Sequence, residues 1–130
     1  MTRIMVAPER AGEGVRPIEG WQPVRLPDLV PRHWPGLTGA VWYRLDWQAD
    51  CMAEPLALNI DRMVMAGEVW LNDDLLWRDS HLVEPLSRSW NLPRYWLLPS
   101  SGLKPANTLW IRLVGSEHAP PALGSVRLGT

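Results

Sequence analysis

A chain of 130 residues is close to the usual size of one domain, so a single hydrophobic core is expected and two domains would each be too small. Thirteen prolines and ten glycines exclude a helical bundle, and 46% hydrophobic content excludes a disordered tail. A formal net charge of -1, from 13 basic and 14 acidic side chains, builds none of the positive field that sequence-independent nucleic-acid binding requires.

In chain order, residues 1–20 mix Gly, Pro, Glu and Arg without periodicity and read as a flexible leader, with the domain proper spanning 21–130. Glu9, Glu13 and Glu19 lie where a signal peptide would carry its apolar segment. No apolar run approaches the roughly eighteen residues of a membrane helix, so a soluble domain is expected. Val41, Tyr43, Leu45 and Trp47 alternate with Trp42, Arg44, Asp46 and Gln48, which predicts a strand with one buried face. Leu56, Leu58 and Ile60 give a second. Val69 and Leu71 place Glu68, Trp70 and Asn72 on the opposite face, and Asn72-Asp73-Asp74 then turns into Leu75-Leu76-Trp77, a hairpin. Further strands follow at Tyr95–Leu98, at Leu109, Ile111 and Leu113, and at Val126–Leu128, with turn chemistry over 99–102. About eight strands with frequent turns predict an all-β antiparallel sandwich of the jelly-roll kind.

Four segments carry a resemblance: Trp21-Gln22-Pro23-Val24-Arg25-Leu26-Pro27, Val41-Trp42-Tyr43-Arg44, Glu68-Val69-Trp70-Leu71-Asn72 and Ala106-Asn107-Thr108-Leu109-Trp110-Ile111-Arg112-Leu113. Together they resemble the galactose-binding-like jelly roll, as in the N-terminal sugar-binding domain of family 2 glycoside hydrolases. Glu84-Pro85-Leu86-Ser87-Arg88-Ser89-Trp90-Asn91-Leu92-Pro93, followed by Tyr95-Trp96-Leu97-Leu98-Pro99, is similar to the Arg-x-Trp-Asn-x-Pro segment in extracytoplasmic sensor domains of bacterial membrane histidine kinases and related signalling proteins. That family usually has Asn-Gly where this chain has Asn72-Asp73, so a looser or longer turn is expected. The resemblance implies a periplasmic input module, with membrane helices and a kinase or cyclase in segments absent from this chain.

Nine tryptophans and no phenylalanine mark the composition. Indole faces stack on sugar rings while the N–H keeps a polar handle. Trp47 shares the apolar phase of its strand and is assigned to the core. Trp42, Trp70 and Trp110 fall on the polar phase of three strands, together with Arg44, and are candidate ligand-binding residues on one sheet face. Two alternatives stay open: the face is covered by the N-terminal arm or the 78–93 connection, or it forms a dimer or partner surface. Arg88, Trp90 and Asn91 are the remaining candidates, able to clamp a carboxylate and bond a sugar-like ligand, or else to shape their own loop with Arg88 paired to Glu84.

Catalytic and metal signatures are weak. Asp73 and Asp74 diverge in a turn, and Ser100-Ser101 lacks a nucleophile-elbow setting. His33, His81 and His118 are too scattered for a metal and read as surface histidines, and lone Cys51 forms neither an internal disulfide nor a thiolate zinc site. Asp28, Asp61 and Asp79 lack calcium-ligand spacing. The expectation is a domain without catalysis, cofactor or metal: a sensor that shifts between two states on binding, or alternatively a carbohydrate-binding module or a structural dimerisation domain.

Overall fold

The computed structural model describes residues 3–10, 12–35, 39–48, 56–60, 63–64, 66–78, 94–98, 105–115 and 121–129. The strands in chain order are β1 (Arg3–Pro8), β2 (Gln22–Pro23), β3 (Asp28–Leu29), β4 (Gly39–Gln48), β5 (Leu56–Ile60), β6 (Met63–Val64), β7 (Ala66–Leu71), β8 (Asp74–Arg78), β9 (Arg94–Leu98), β10 (Ala106–Gly115), β11 (Ala122–Leu123) and β12 (Val126–Gly129). A short 3₁₀ turn, Val30–Arg32, follows β3. The six-stranded sheet runs β2-β1-β4-β10-β7-β8, and two three-stranded sheets run β3-β11-β6 and β12-β5-β9. The pairings are antiparallel, as the alternating patterns require.

Period-two phase decides which side chains enter the core. Val41, Tyr43, Leu45 and Trp47 of β4 join Leu109, Ile111 and Leu113 of β10 and Val69 and Leu71 of β7 on one face of the large sheet. Leu58, Ile60, Leu98 and Leu123 meet them from the smaller sheets, and all are buried. Full burial of each such side chain is worth about 1.5–3 kcal/mol, so this layer dominates the stability of the sandwich.

The first twenty residues differ from expectation. Arg3–Pro8 is an interior strand of the large sheet, paired to β4 from Arg3↔Asp46 through Pro8↔Val41 and to β2 on its other side. Val6 packs into the core and Ala7 is covered on the opposite face, so consecutive residues are buried and the strand shows no alternation. Among the described residues the large sheet therefore already includes Arg3–Pro8, ahead of Trp21.

The β7–β8 connection is tight, also against expectation. Leu71 pairs directly with Asp74, leaving Asn72 and Asp73 as the two turn residues, and Asn72 adopts φ 55°. Asparagine tolerates this left-handed backbone at the place where glycine is usual. Its side chain is fixed as well, accepting from the Thr108 N–H at 2.9 Å and donating to Asn107 Oδ1 at 3.2 Å.

A polar cluster ties β3 to the core. The Tyr43 hydroxyl donates to Asp28 Oδ2 at 2.7 Å, and His33 Nε2 lies 2.7 Å from Asp28 Oδ1. Burial, then the hydrogen bond to Asp28 and its charge, push the Tyr43 phenol far above its ordinary range. His33 is thus a partner of a buried carboxylate and not a free surface histidine. Asp28 is engaged by two side chains, and among the described residues no group of three or more His, Cys, Asp or Glu could hold a metal ion. Asp61 and Asp79 lie outside the described residues.

Candidate functional site

The outward face of the large sheet collects the candidate residues. Register sets Trp110 of β10 opposite both Trp70 of β7 and Arg44 of β4, and Arg112 opposite both Trp42 and Glu68. Trp42, Arg44, Trp70 and Trp110 therefore share one surface, as their phase predicts. Arg88, Trp90 and Asn91 lie outside the described residues, as does the proposed Glu84 partner.

The chain covers this surface with the loop that joins β1 to β2. Glu9 accepts the Trp42 indole N–H at 2.7 Å and pairs with Arg112 through contacts of 2.6 and 3.1 Å. The Gly14 N–H donates to the second Glu9 oxygen at 2.8 Å. Farther along, Arg16 reaches across the sheet to the β7–β8 turn. It donates to the Asn72 carbonyl at 2.7 Å and pairs with the exposed Asp73 at 3.2 Å. Its guanidinium carbon sits 4.4 Å from the Trp110 ring centre, 5.6 Å from that of Trp70 and 5.8 Å from that of Trp42. Trp21 closes the loop, its indole donating to the Pro17 carbonyl at 3.0 Å and its ring meeting Trp110 edge-on at 5.9 Å.

Of the readings open for these tryptophans, cover by the N-terminal arm is the one observed. Trp42 is 1% exposed and offers no stacking surface to a ligand with the loop in place. A polar-phase tryptophan on a sheet needs a cover because a large exposed apolar patch is costly, and this chain supplies its own.

Beneath the loop runs a ladder of buried charge. Arg112 bridges Glu9 and Glu68, the latter at 3.8 Å, and Glu68 also accepts from Arg78 at 2.9 Å. Burial alone would raise the Glu9 carboxyl. The hydrogen bonds from Arg112, Gly14 and Trp42, with the Arg112 charge, outweigh it and hold the group below its usual range. Burial likewise opposes the Arg112 charge, but the bond to Glu9 and the Glu9, Glu68 and Glu13 charges more than compensate.

Sequence reasoning missed Glu9, Arg16, Glu68 and Arg112. Glu68 and Arg112 carried a signal, since opposite charges share the phase of Trp70 and Trp110 on strands that also fill the core. Glu9 and Arg16 carried none, because nothing local says where a loop will fold back.

One part of the face stays open. A cleft of about 290 Å³ lies at the end of the β4–β10 pair, lined by Arg44, Asp46, Gln48, Asn107 and Thr108 among others. Arg44 pairs with Asp46 at 3.2 Å and stands 5.3 Å over the Trp110 ring, and Thr108 Oγ1 donates to Asp46 at 2.8 Å. The cleft thus brings together a guanidinium, a carboxylate that both Arg44 and Thr108 engage, and a hydroxyl, with the indole of Trp47 among its lining residues.

No protein-family model matches the chain, and no curated protein matches it significantly. Solved structures do. A glycosyl hydrolase family 2 member from Bacteroides cellulosilyticus superposes with a TM-score of 0.63 at 16% identity, over 88% of this chain and 17% of that one. A β-glucuronidase from Faecalibacterium prausnitzii gives 0.64 at 18% identity, over 85% and 20%. A β-galacturonidase of the same hydrolase family from Eisenbergiella tayi, bound to galacturonate, gives 0.61 at 11% identity, over 85% and 17%. The chain spans about a fifth or less of these proteins' length, and what it shares with that stretch of them is the fold, an antiparallel galactose-binding-like β-sandwich.

Proposed function

We propose that the chain is a non-catalytic recognition domain of the carbohydrate-binding type, with the Arg44–Asp46–Thr108 cleft as its ligand site. The open cleft carries the proposal: planar and hydroxylic side chains that donate and accept, set beside an indole, are the chemistry that fixes a sugar ring. The likeness in fold to stretches of family 2 hydrolases supports this class. The uronic-acid enzymes among those structures suggest glucuronate and galacturonate beside neutral sugars, with Arg44 as the carboxylate partner.

The test is titration of the chain with a panel of neutral and uronic sugars, read by tryptophan fluorescence and calorimetry. Saturable binding at millimolar concentration or tighter is expected, lost in Arg44→Ala and weakened in Thr108→Val. A flat response across the panel removes this reading.

A second reading, a periplasmic sensor domain of a membrane histidine kinase, rests on the likeness of the segment Glu84–Pro99. Only β9 of that segment is among the described residues, and the solved structures above are glycosidases, so this reading stands on sequence alone. Membrane spans and a kinase encoded in the same frame would support it, and a glycosidase catalytic domain there would overturn it.

A further inference from the structure

Three tryptophans from three different strands surround one guanidinium. The Trp42 and Trp110 rings stand nearly perpendicular, at 80° with centroids 6.4 Å apart, and Trp70 approaches the same cation from the neighbouring strand. Indole is the strongest of the aromatic cation acceptors, and several rings around one positive centre are suited to a charge that is bulky and weakly hydrated. Oxygen acceptors complete the lining, with the Asn72 carbonyl and the Asp73 carboxylate at the mouth and Glu68 taking the Trp70 indole N–H at 3.4 Å.

The occupant of this cage is held differently from the cage itself. The rings are mounted on the rigid centre of the large sheet, whereas Arg16 sits on a loop with left-handed backbone at Gly14 (φ 75°) and Gly20 (φ 84°). Either side of the tip, Val15 and Ile18 are 48% and 89% exposed. A hollow of about 400 Å³ lined by Pro8, Arg10, Pro17, Ile18, Glu19 and Gly20 runs alongside. The tip is therefore held down chiefly by the Arg16 head group and by Pro17, and the Asp73 pair is an exposed one of small worth.

We infer that Trp42, Trp70 and Trp110 form a binding site for an organic cation, a guanidinium or quaternary ammonium head group, which Arg16 fills as a tethered ligand. The inference goes beyond the carbohydrate reading and does not need it: the sugar cleft is open in this arrangement, and the cage is reached only when the loop tip lifts. A tethered occupant has a high effective concentration, so a free cation competes poorly with the intact chain and enters readily once the arginine head is gone.

The experiment uses the full chain and its Arg16→Ala variant, titrated with methylguanidinium, choline and 3,3-dimethyl-1-butanol, the last a neutral counterpart of choline. In the variant, both cations should give a saturable tryptophan fluorescence change and a rise in Tm, at concentrations roughly a hundredfold below those the intact chain needs. The neutral alcohol should do neither, and Trp70→Leu added to the variant should remove the response. Should Arg16→Ala fail to fold, millimolar methylguanidinium during refolding should restore the native circular dichroism. A folded variant blind to both cations, equal responses to choline and the alcohol, equal responses in variant and intact chain, or an unfolded variant that methylguanidinium does not rescue would each overturn the inference.

Discussion

The inner face of the large sheet is buried and its outer face is covered except at the Arg44–Asp46–Thr108 cleft, and the two are closed by opposite physics. On the inner face Val41, Tyr43, Leu45, Leu109, Ile111 and Leu113 meet the smaller sheets through area and shape. On the outer face the same strands present Trp42, Trp110 and Arg112, covered by a loop that touches them through directed contacts of Glu9 and Arg16. An antiparallel sheet commonly leaves one side to water. Here a loop of the same chain covers the tryptophan part of that side, and its attachment depends on charge and can therefore be released by chemistry that leaves the core intact.

Adjacent residues of β10 give the sharpest comparison. Arg112→Met leaves Glu9 and Glu68 buried without their shared cation, and a cost of about 3–5 kcal/mol is expected in urea unfolding. Ile111→Ala, one residue away on the inner face, should cost about 2–4 kcal/mol through the cavity it leaves. The two should differ in repair. Glu9→Gln and Glu68→Gln added to Arg112→Met remove the stranded charges and should recover at least half of the loss, whereas no change on the outer face should compensate Ile111→Ala. If the arginine variant proves as stable as the parent, the outer face is a solvated surface and the contrast fails.

The inner face was legible in the sequence and the outer one only half so. Alternation located β4, β5, β7 and β10 and assigned Trp47 to the core, because a strand with one apolar phase announces which side it buries, and the turn at Asn72-Asp73-Asp74 located β8. The same phase placed Trp42, Arg44, Trp70 and Trp110 together. It could not say what covers them, since contacts such as Arg16 to Asn72 join residues far apart in sequence through a loop without periodicity. The strand Arg3–Pro8 escaped for a related reason. Val6, Ala7 and Pro8 are buried in succession, so the strand lacks the alternation that would have announced it. The segment carrying Arg88, Trp90 and Asn91 lies outside the described residues.

Acid should separate the faces without any mutation. The Glu9 carboxyl is held below its ordinary range in the folded chain, so it contributes stability above the range in which the unfolded chain's carboxylate titrates. That contribution is lost as pH falls through the lowered folded value, where protonation removes one of the two carboxylate partners of Arg112. Tm followed downward from neutral pH should therefore fall more steeply in the parent than in Glu9→Gln, whose side chain does not titrate. The inner face contributes nothing to that difference. Identical slopes would show that Glu9 titrates alike in the folded and unfolded chain.

The smallest expected effect tests how the loop is moored at its far end. Asn72 has two separable roles: its backbone turns the β7–β8 hairpin at φ 55°, and its side chain bonds Thr108 and Asn107 beneath the carbonyl that receives Arg16. Asn72→Gly keeps the turn and loses the side-chain bonds, for a cost of about 1 kcal/mol. Asn72→Ala loses the bonds and also forces a β-carbon into the left-handed region, for about 1–2 kcal/mol more. If the hairpin is what presents the Asn72 carbonyl, the glycine variant should keep the Arg16 contact and the tryptophan emission of the parent, and the alanine variant should shift that emission toward solvent-exposed indole. Equal emission in the two variants would place the mooring elsewhere, in the rings of the cage alone, and would make the turn a bystander to the closure of the outer face.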